Sequence, residues 1–176
     1  MKRKALIISI KGPKLTKAEK KIFSQERPWG VILFKRNLKS VDQIRKLTSN
    51  IKKLTKNKYF PIIIDEEGQK VSRLRRIIKH NLSANFFGEL YKKDKIFCLS
   101  ILESYIQSLS KILKNLGINI NTIPVLDVLR FDTNKVIGNR SLSKNKKIVK
   151  VLGSHIIKYL NNNKIGGVIK HIPGHG

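Results

Sequence analysis

The stretch "PIIIDEEGQK", residues 61–70, decides how the rest of the chain is read. Its isoleucines form a short buried strand, Pro61 stands where a strand can begin, and Asp65 closes the run before a loop that turns at Gly68. The same pattern recurs on both sides. "ALIISI" (5–10) and "GVILF" (30–34) read as buried strands upstream, and "GGVIK" (166–170) reads as one downstream. "ININ" and "PVLDVL" (118–129) read as a strand and an extended element.

Helical patterns fill the intervals. In "LTKAEKKIF" (15–23), Thr16 and Glu19 form a capping box, and Ser40 and Gln43 repeat it before an apolar stripe at 41, 44, 47, 51 and 54. From 94 to 116 the stripe runs 98, 102, 105, 109, 112 and 116, with Gly117 where a C-cap belongs, and 144–161 reads as another helix. Residues 66–90 read mainly as loop, with room for a helical turn or two. No hairpin signal separates the strands, and crossovers of this length imply parallel strands with helices outside them. A doubly wound sheet and a TIM-type (β/α) barrel both satisfy this order. A whole barrel takes about 250 residues, so five strands make an incomplete one, about the first five β/α units. No linker divides the 176 residues, which read as one domain.

Composition sets the other bounds. The formal net charge is +27, from 38 Lys and Arg against 11 Asp and Glu, which favours nucleic acid or anionic surfaces as partners. The lysines are scattered along the chain rather than gathered in one arm. Cys98 is the only cysteine, so neither an internal disulfide nor a cysteine-based zinc cluster can form; on its helical stripe it reads as a small buried hydrophobe. The apolar stretch within "MKRKALIISI" is too short for a secretion signal, and no apolar run reaches the roughly 20 residues of a membrane span. The expectation is a soluble cytoplasmic protein with no membrane partner.

On a barrel, functional groups gather at the C-terminal ends of strands. Asp65 closes its strand, Asp127 follows "IPVL", and Lys170 and His171 close "GGVIK". The motifs "GVILFKRN", "IIIDEEGQKVSRL", "PVLDV", "VIGNRSL" and "KHIPGHG" resemble, in order and spacing, the bacterial β-N-acetylhexosaminidases of glycoside hydrolase family 3, in particular the cytoplasmic enzymes of peptidoglycan recycling. That resemblance implies a TIM-type barrel that removes a terminal N-acetylglucosamine from its β-1,4 link to 1,6-anhydro-N-acetylmuramic acid, with retention of configuration. It implies that Asp65 accepts from sugar hydroxyls and that Arg73, Arg140, Lys170 and His171 line the same pocket. His175 is implied as a loop-shaping residue, and Asp127 is open between ligand contact and loop orientation. It implies no metal and no cofactor.

A retaining glycosidase also needs an attacking carboxylate and an acid/base group. In the family these are an aspartate on a later strand and a histidine in an Asp-x-His turn a few residues beyond "GHG". On this resemblance the chain itself carries no catalytic residue. Both groups are expected beyond Gly176, and the chain is expected to be truncated there. Four departures from the family pattern, at positions 66, 69, 70 and 139, touch the loops. The usual Gln-Glu-Gly-Gly-Arg after Asp65 is Glu66-Glu67-Gly68-Gln69-Lys70, and the usual Gly-Asp-Arg is Gly138-Asn139-Arg140. Gln69 removes backbone freedom if its position needs a positive φ, and Lys70 loses arginine's planar fork.

Glu66 and Glu67 are weak catalytic candidates, because neighbours on a loop need not face one site. Arg75 and Arg76 read as surface charges, and His80 and His155 have no evident partners. Two other functions compete: a catalytically inactive sugar-binding remnant, and a basic protein that binds nucleic acid weakly and without sequence specificity.

Overall fold

The computed structural model describes residues 3–79 and 81–175. His80 lies outside the described residues. Five strands, β1 (Lys4–Ser9), β2 (Pro28–Leu33), β3 (Ile62–Ile64), β4 (Ile120–Asn121) and β5 (Gly166–Gly167), form one sheet. Every neighbouring pair is parallel, and the strands lie in chain order, β1-β2-β3-β4-β5. A doubly wound sheet reverses its strand order at a switch point. This one never does, so of the two architectures open to the sequence the chain adopts the barrel type, as an incomplete (β/α) barrel.

The helices are α1 (Lys17–Lys21), α2 (Val41–Leu54), α3 (Ala84–Lys93), α4 (Lys95–Asn115) and α5 (Lys146–Asn162). Their ends obey local chemistry. Thr16 and Glu19 complete the expected capping box of α1. Before α2, Ser40 accepts from Gln43 N, but the Gln43 side chain serves Lys39 N and Pro13 O, so the second box is not reciprocal. Gly117 ends α4 at φ 77°, with Gly117 N and Ile118 N donating to Lys114 O and Leu113 O, a Schellman closure. The buried row of α4 is Cys98, Leu102, Ile106, Leu109, Ser110 and Leu113, with Leu116 buried at its C-cap as expected; Tyr105 and Ile112 of the expected stripe pack on the core only partly buried, and Ile106 and Leu113 take the fully buried places beside them. By length and composition α4 could cross a membrane, yet that row is packed into the core.

Two expectations are corrected. Helix α3 takes residues 84–90 of the segment read mainly as loop and runs on to Lys93, longer than the turn or two expected there. Ser83, whose side chain accepts from Phe86 N, was the local signal; Gly88 broke the helical pattern. β1 is not buried: Leu6 and Ile7 are 54% and 53% exposed, because β1 is an edge strand paired only with β2. Behind it, Asn37 is fully buried and ties the first two β/α loops together through Phe34 N, Ile10 O and Gly12 O.

A dense cluster of Arg45, Lys52, Lys53, Lys56, Lys58 and Lys114 lines a cleft at the C-terminal ends of α2 and α4. There Lys52 Nζ donates to Gly117 O at 2.8 Å and Arg45 Nε to Asn115 O at 3.1 Å. Those two cations complement helix-end carbonyls.

Candidate functional site

The loop after β3 is built around Glu66, whose side chain is held inside the fold. It accepts from Arg73 N at 2.8 Å and Leu74 N at 2.9 Å, folding residues 66–74 back on themselves. Asn121, at the end of β4, grips Glu66 N and O through its side-chain amide at 3.0 and 2.9 Å. The turn itself takes its positive φ at Gly68, 133°, and Gln69 is not among the positive-φ residues, so the glycine-to-glutamine departure introduces no backbone strain there. Gln69 Oε1 instead accepts from Asn139 Nδ2 at 2.7 Å. Two departures from the family pattern therefore meet as partners, while Lys70 Nζ reaches Lys135 O at 2.7 Å.

This loop lines up a chain of alternating charges. Arg73 donates to Asp65 Oδ2 at 3.1 Å, and Lys170 Nζ lies 3.4 Å from Asp65 Oδ1 and 2.5 Å from Glu67 Oε1. Arg140 grips Glu67 with a fork, Nε to Oε2 at 2.7 Å and Nη2 to Oε1 at 3.0 Å. Thr122 links the two halves, donating to Asp65 Oδ1 at 2.5 Å and accepting from Lys170 at 2.8 Å. The Glu67 side chain is only 5% exposed, Arg140 11%, Lys170 15% and Asp65 17%. Arg73 also lies over the Phe34 ring, 5.7 Å from its centroid, and its Nε is buried with no partner among the described residues. Burial pushes the Asp65 carboxyl up, but the Thr122 hydroxyl, the Lys170 charge and Arg73 together outweigh it and hold it below the ordinary 3.8.

A second cluster adjoins the first through the Lys170–His171 peptide, which is cis. Asp127 Oδ2 lies 2.6 Å from His171 Nδ1 and accepts from His171 N at 3.3 Å, and Oδ1 accepts from His175 N at 2.7 Å. The carboxylate sets the tautomer: Nδ1 carries the proton toward it, and Nε2 has no partner among the described residues. The two imidazoles meet edge to face at 5.4 Å. Beside them opens a cleft of about 420 Å³ lined by Asp127, Arg130, Thr133, His171 and His175. Burial pushes Asp127 up too, and the His171 ring with the two backbone donors outweighs it, leaving the carboxyl low.

Both depressed carboxyls make stability acid-sensitive. Their contribution is complete above the ordinary value near 3.8 and is lost as pH falls through the lower folded values. Thermal melting followed by circular dichroism is expected to show no loss from these groups between about pH 7 and pH 5, and a decline below about pH 4. Asp127→Asn flattens part of that decline; an unchanged acid limb in the variant would rule Asp127 out as a contributor.

Of the residues singled out in the sequence, Asp65, Arg73, Arg140 and Lys170 share one network, and Asp127, His171 and His175 share the other. Arg75 reaches only Gln69 O, His155 packs on Tyr159, and Cys98 is a buried free thiol in contact with Phe87 O. Glu67 and Thr122 were not anticipated as members. Glu67 stands two residues after Asp65, and in extended backbone i and i+2 share a face, which was the available signal. Among the described residues no group of three His, Cys, Asp or Glu side chains could hold a metal ion.

Parallel strands in chain order, with charged and hydroxyl side chains gathered at their C-terminal ends, define the framework of a barrel enzyme. The chain belongs to glycoside hydrolase family 3: residues 2–176 match the Glycosyl hydrolase family 3 N terminal domain. It is 32% identical over 174 residues to a beta-hexosaminidase of Chromobacterium violaceum, covering 99% of this chain and 48% of that protein. A beta-hexosaminidase of Xanthomonas campestris pv. campestris is 29% identical over 171 residues, 97% of this chain and 51% of that one. The fold superposes on NagZ from Neisseria gonorrhoeae in complex with N-trifluoroacetyl-D-glucosamine with a TM-score of 0.90 and 31% identity, over 99% of this chain and 51% of that chain. The same NagZ has also been solved with a zinc ion. The chain thus spans about half the length of the curated relatives it matches.

Proposed function

We propose that this chain is the N-terminal, sugar-gripping part of a catalytic barrel that removes terminal non-reducing N-acetyl-β-D-glucosamine from peptidoglycan-derived muropeptides in the cytoplasm. The observation that carries the reading is the Arg73–Asp65–Lys170–Glu67–Arg140 charge chain at the strand ends. A neutral sugar offers hydroxyls that both donate and accept. An ionised carboxylate accepts from them, and guanidinium and ammonium groups donate to them. Asp65, kept ionised by its neighbours, is the acceptor. The similarity to a NagZ that holds an N-acylated glucosamine supports the ligand class.

The chemistry is assigned elsewhere. Hydrolysis with retention needs a carboxylate free to attack and a second group to protonate the leaving oxygen. Asp65, Glu67 and Asp127 are each committed to cations or to a histidine and backbone donors. The resemblance to the family implies an attacking aspartate and an Asp-x-His pair, and these are proposed to lie in the part of the relatives that this chain does not span. NMR titration of the 176-residue chain with N-acetylglucosamine is expected to shift resonances of the Asp65 and Lys170 segments saturably, and a chromogenic β-N-acetylglucosaminide is expected to remain uncleaved. Folded protein with no shifts would remove the sugar-binding reading. Turnover by the pure chain would overturn the placement of the catalytic groups.

A further inference from the structure

We infer that Glu67 is a positioning residue that controls sugar affinity by holding Lys170 away from Asp65; this rests on the sugar-binding reading above. The network contains three cations, Arg73, Lys170 and Arg140, and two carboxylates. Lys170 lies between the carboxylates but not midway, 2.5 Å from Glu67 and 3.4 Å from Asp65. Its third contact is Thr122 at 2.8 Å. An ammonium has three N–H donors, so Glu67 decides how strongly the remaining ones pull on Asp65.

The acceptor capacity of Asp65 is the scarce quantity. A carboxylate has about four lone-pair sites, and Thr122, Lys170 and Arg73 already address three. The Lys170 contact is the longest of them, so it yields most readily to an incoming hydroxyl. Without the Glu67 charge, Lys170 closes on Asp65 as a tight ion pair, and a sugar hydroxyl must then compete with it. Glu67 also spends two donors of Arg140 at 2.7 and 3.0 Å, which fixes the plane of that guanidinium. The side chain sits above an apolar floor of Phe87, Leu102, Tyr105 and Ile106, where charge interactions are weakly screened. Glu67 need not touch the ligand to do this.

The test is a double-mutant cycle read by NMR titration of the 176-residue chain with N-acetylglucosamine. Glu67→Gln keeps the shape and removes the charge, and Lys170→Met removes the ammonium. Each single variant is expected to bind about tenfold more weakly, and the double variant no worse than Lys170→Met within a factor of about two, because Glu67 acts through Lys170. A general loss of packing would instead multiply the two effects to about a hundredfold, and that result overturns the inference. Unchanged binding by Glu67→Gln overturns it as well, while leaving the sugar-binding reading intact. Absence of binding by the folded wild type removes both. The spectra themselves report folding. If Glu67→Gln loses its dispersed spectrum, Glu67→Asp, which keeps the charge but withdraws it by one methylene, takes its place in the cycle, with a loss of about threefold expected and the double variant again no worse than Lys170→Met.

Discussion

Asp65→Asn is expected to weaken N-acetylglucosamine binding by about a hundredfold, the largest effect of any single substitution in the pocket. Shape and volume barely change, but the group ceases to be an anion, and an amide nitrogen replaces one acceptor oxygen with a donor. Charge-assisted hydrogen bonds contribute roughly twice as much as neutral ones, and Asp65 makes them to Arg73 and Lys170 as well as offering them to a ligand. Arg73 would then lose its carboxylate and Lys170 would keep only Glu67, an arrangement that costs more than losing one contact. NMR titration gives the affinity, and melting temperature separates a binding defect from a folding one. Asp65→Asn binding within about threefold of wild type would show that hydroxyls are gripped elsewhere.

Gly88→Ala is expected to destabilise the chain by about 3 kcal/mol, although it adds only a methyl to a residue with poor helix propensity. A Cβ at this position on α3 would lie 1.7 Å from Leu142 O and 2.9 Å from Leu142 C. Backbone cannot swing aside as a side chain can. The segment around Leu142 is tied down by Ser141 Oγ, which donates to Asp127 O at 2.6 Å, and by Leu129 N, which donates to Ser143 O at 3.2 Å. Helix α3 must therefore retreat. Because the turn at Gly138–Arg140 packs on α3, Arg140 should move with it and sugar binding should weaken. For a domain of this size the loss corresponds to a fall in melting temperature of about 6–12 °C. Gly12→Ala, where nothing lies within 4 Å of the added methyl, is the control. A Gly88→Ala melting temperature within about 2 °C of wild type would mean that the segment yields.

These two glycines look alike in the sequence, and the difference between them shows where local reading stops. The alternation of apolar runs and helical stripes, the Thr16–Glu19 box, Gly117 at the end of α4 and the acids at strand ends were all legible, because each depends on residues within about one helical turn or one strand. The ordered motifs were enough to identify the family, and they brought Asp65, Arg73, Arg140, Lys170 and His171 forward together. What they could not show is how those residues divide their charge. Lys170 and Asp65 are 105 positions apart, and Arg140 and Glu67 are 73 apart. Only the parallel register of β3, β4 and β5 brings these atoms within hydrogen-bond distance.

The same reason accounts for the remaining differences. Sequence alone determined a parallel β/α chain with a polar rim and a membership in glycoside hydrolase family 3. Tertiary structure decided that the strands run in chain order, that β1 stands at an open edge with Leu6 and Ile7 exposed, and that Gln69 and Asn139 bond to each other. It also decided that Glu67 belongs to the pocket, since a carboxylate's partners are set by which strand ends lie side by side, and short-range periodicity carries no record of that.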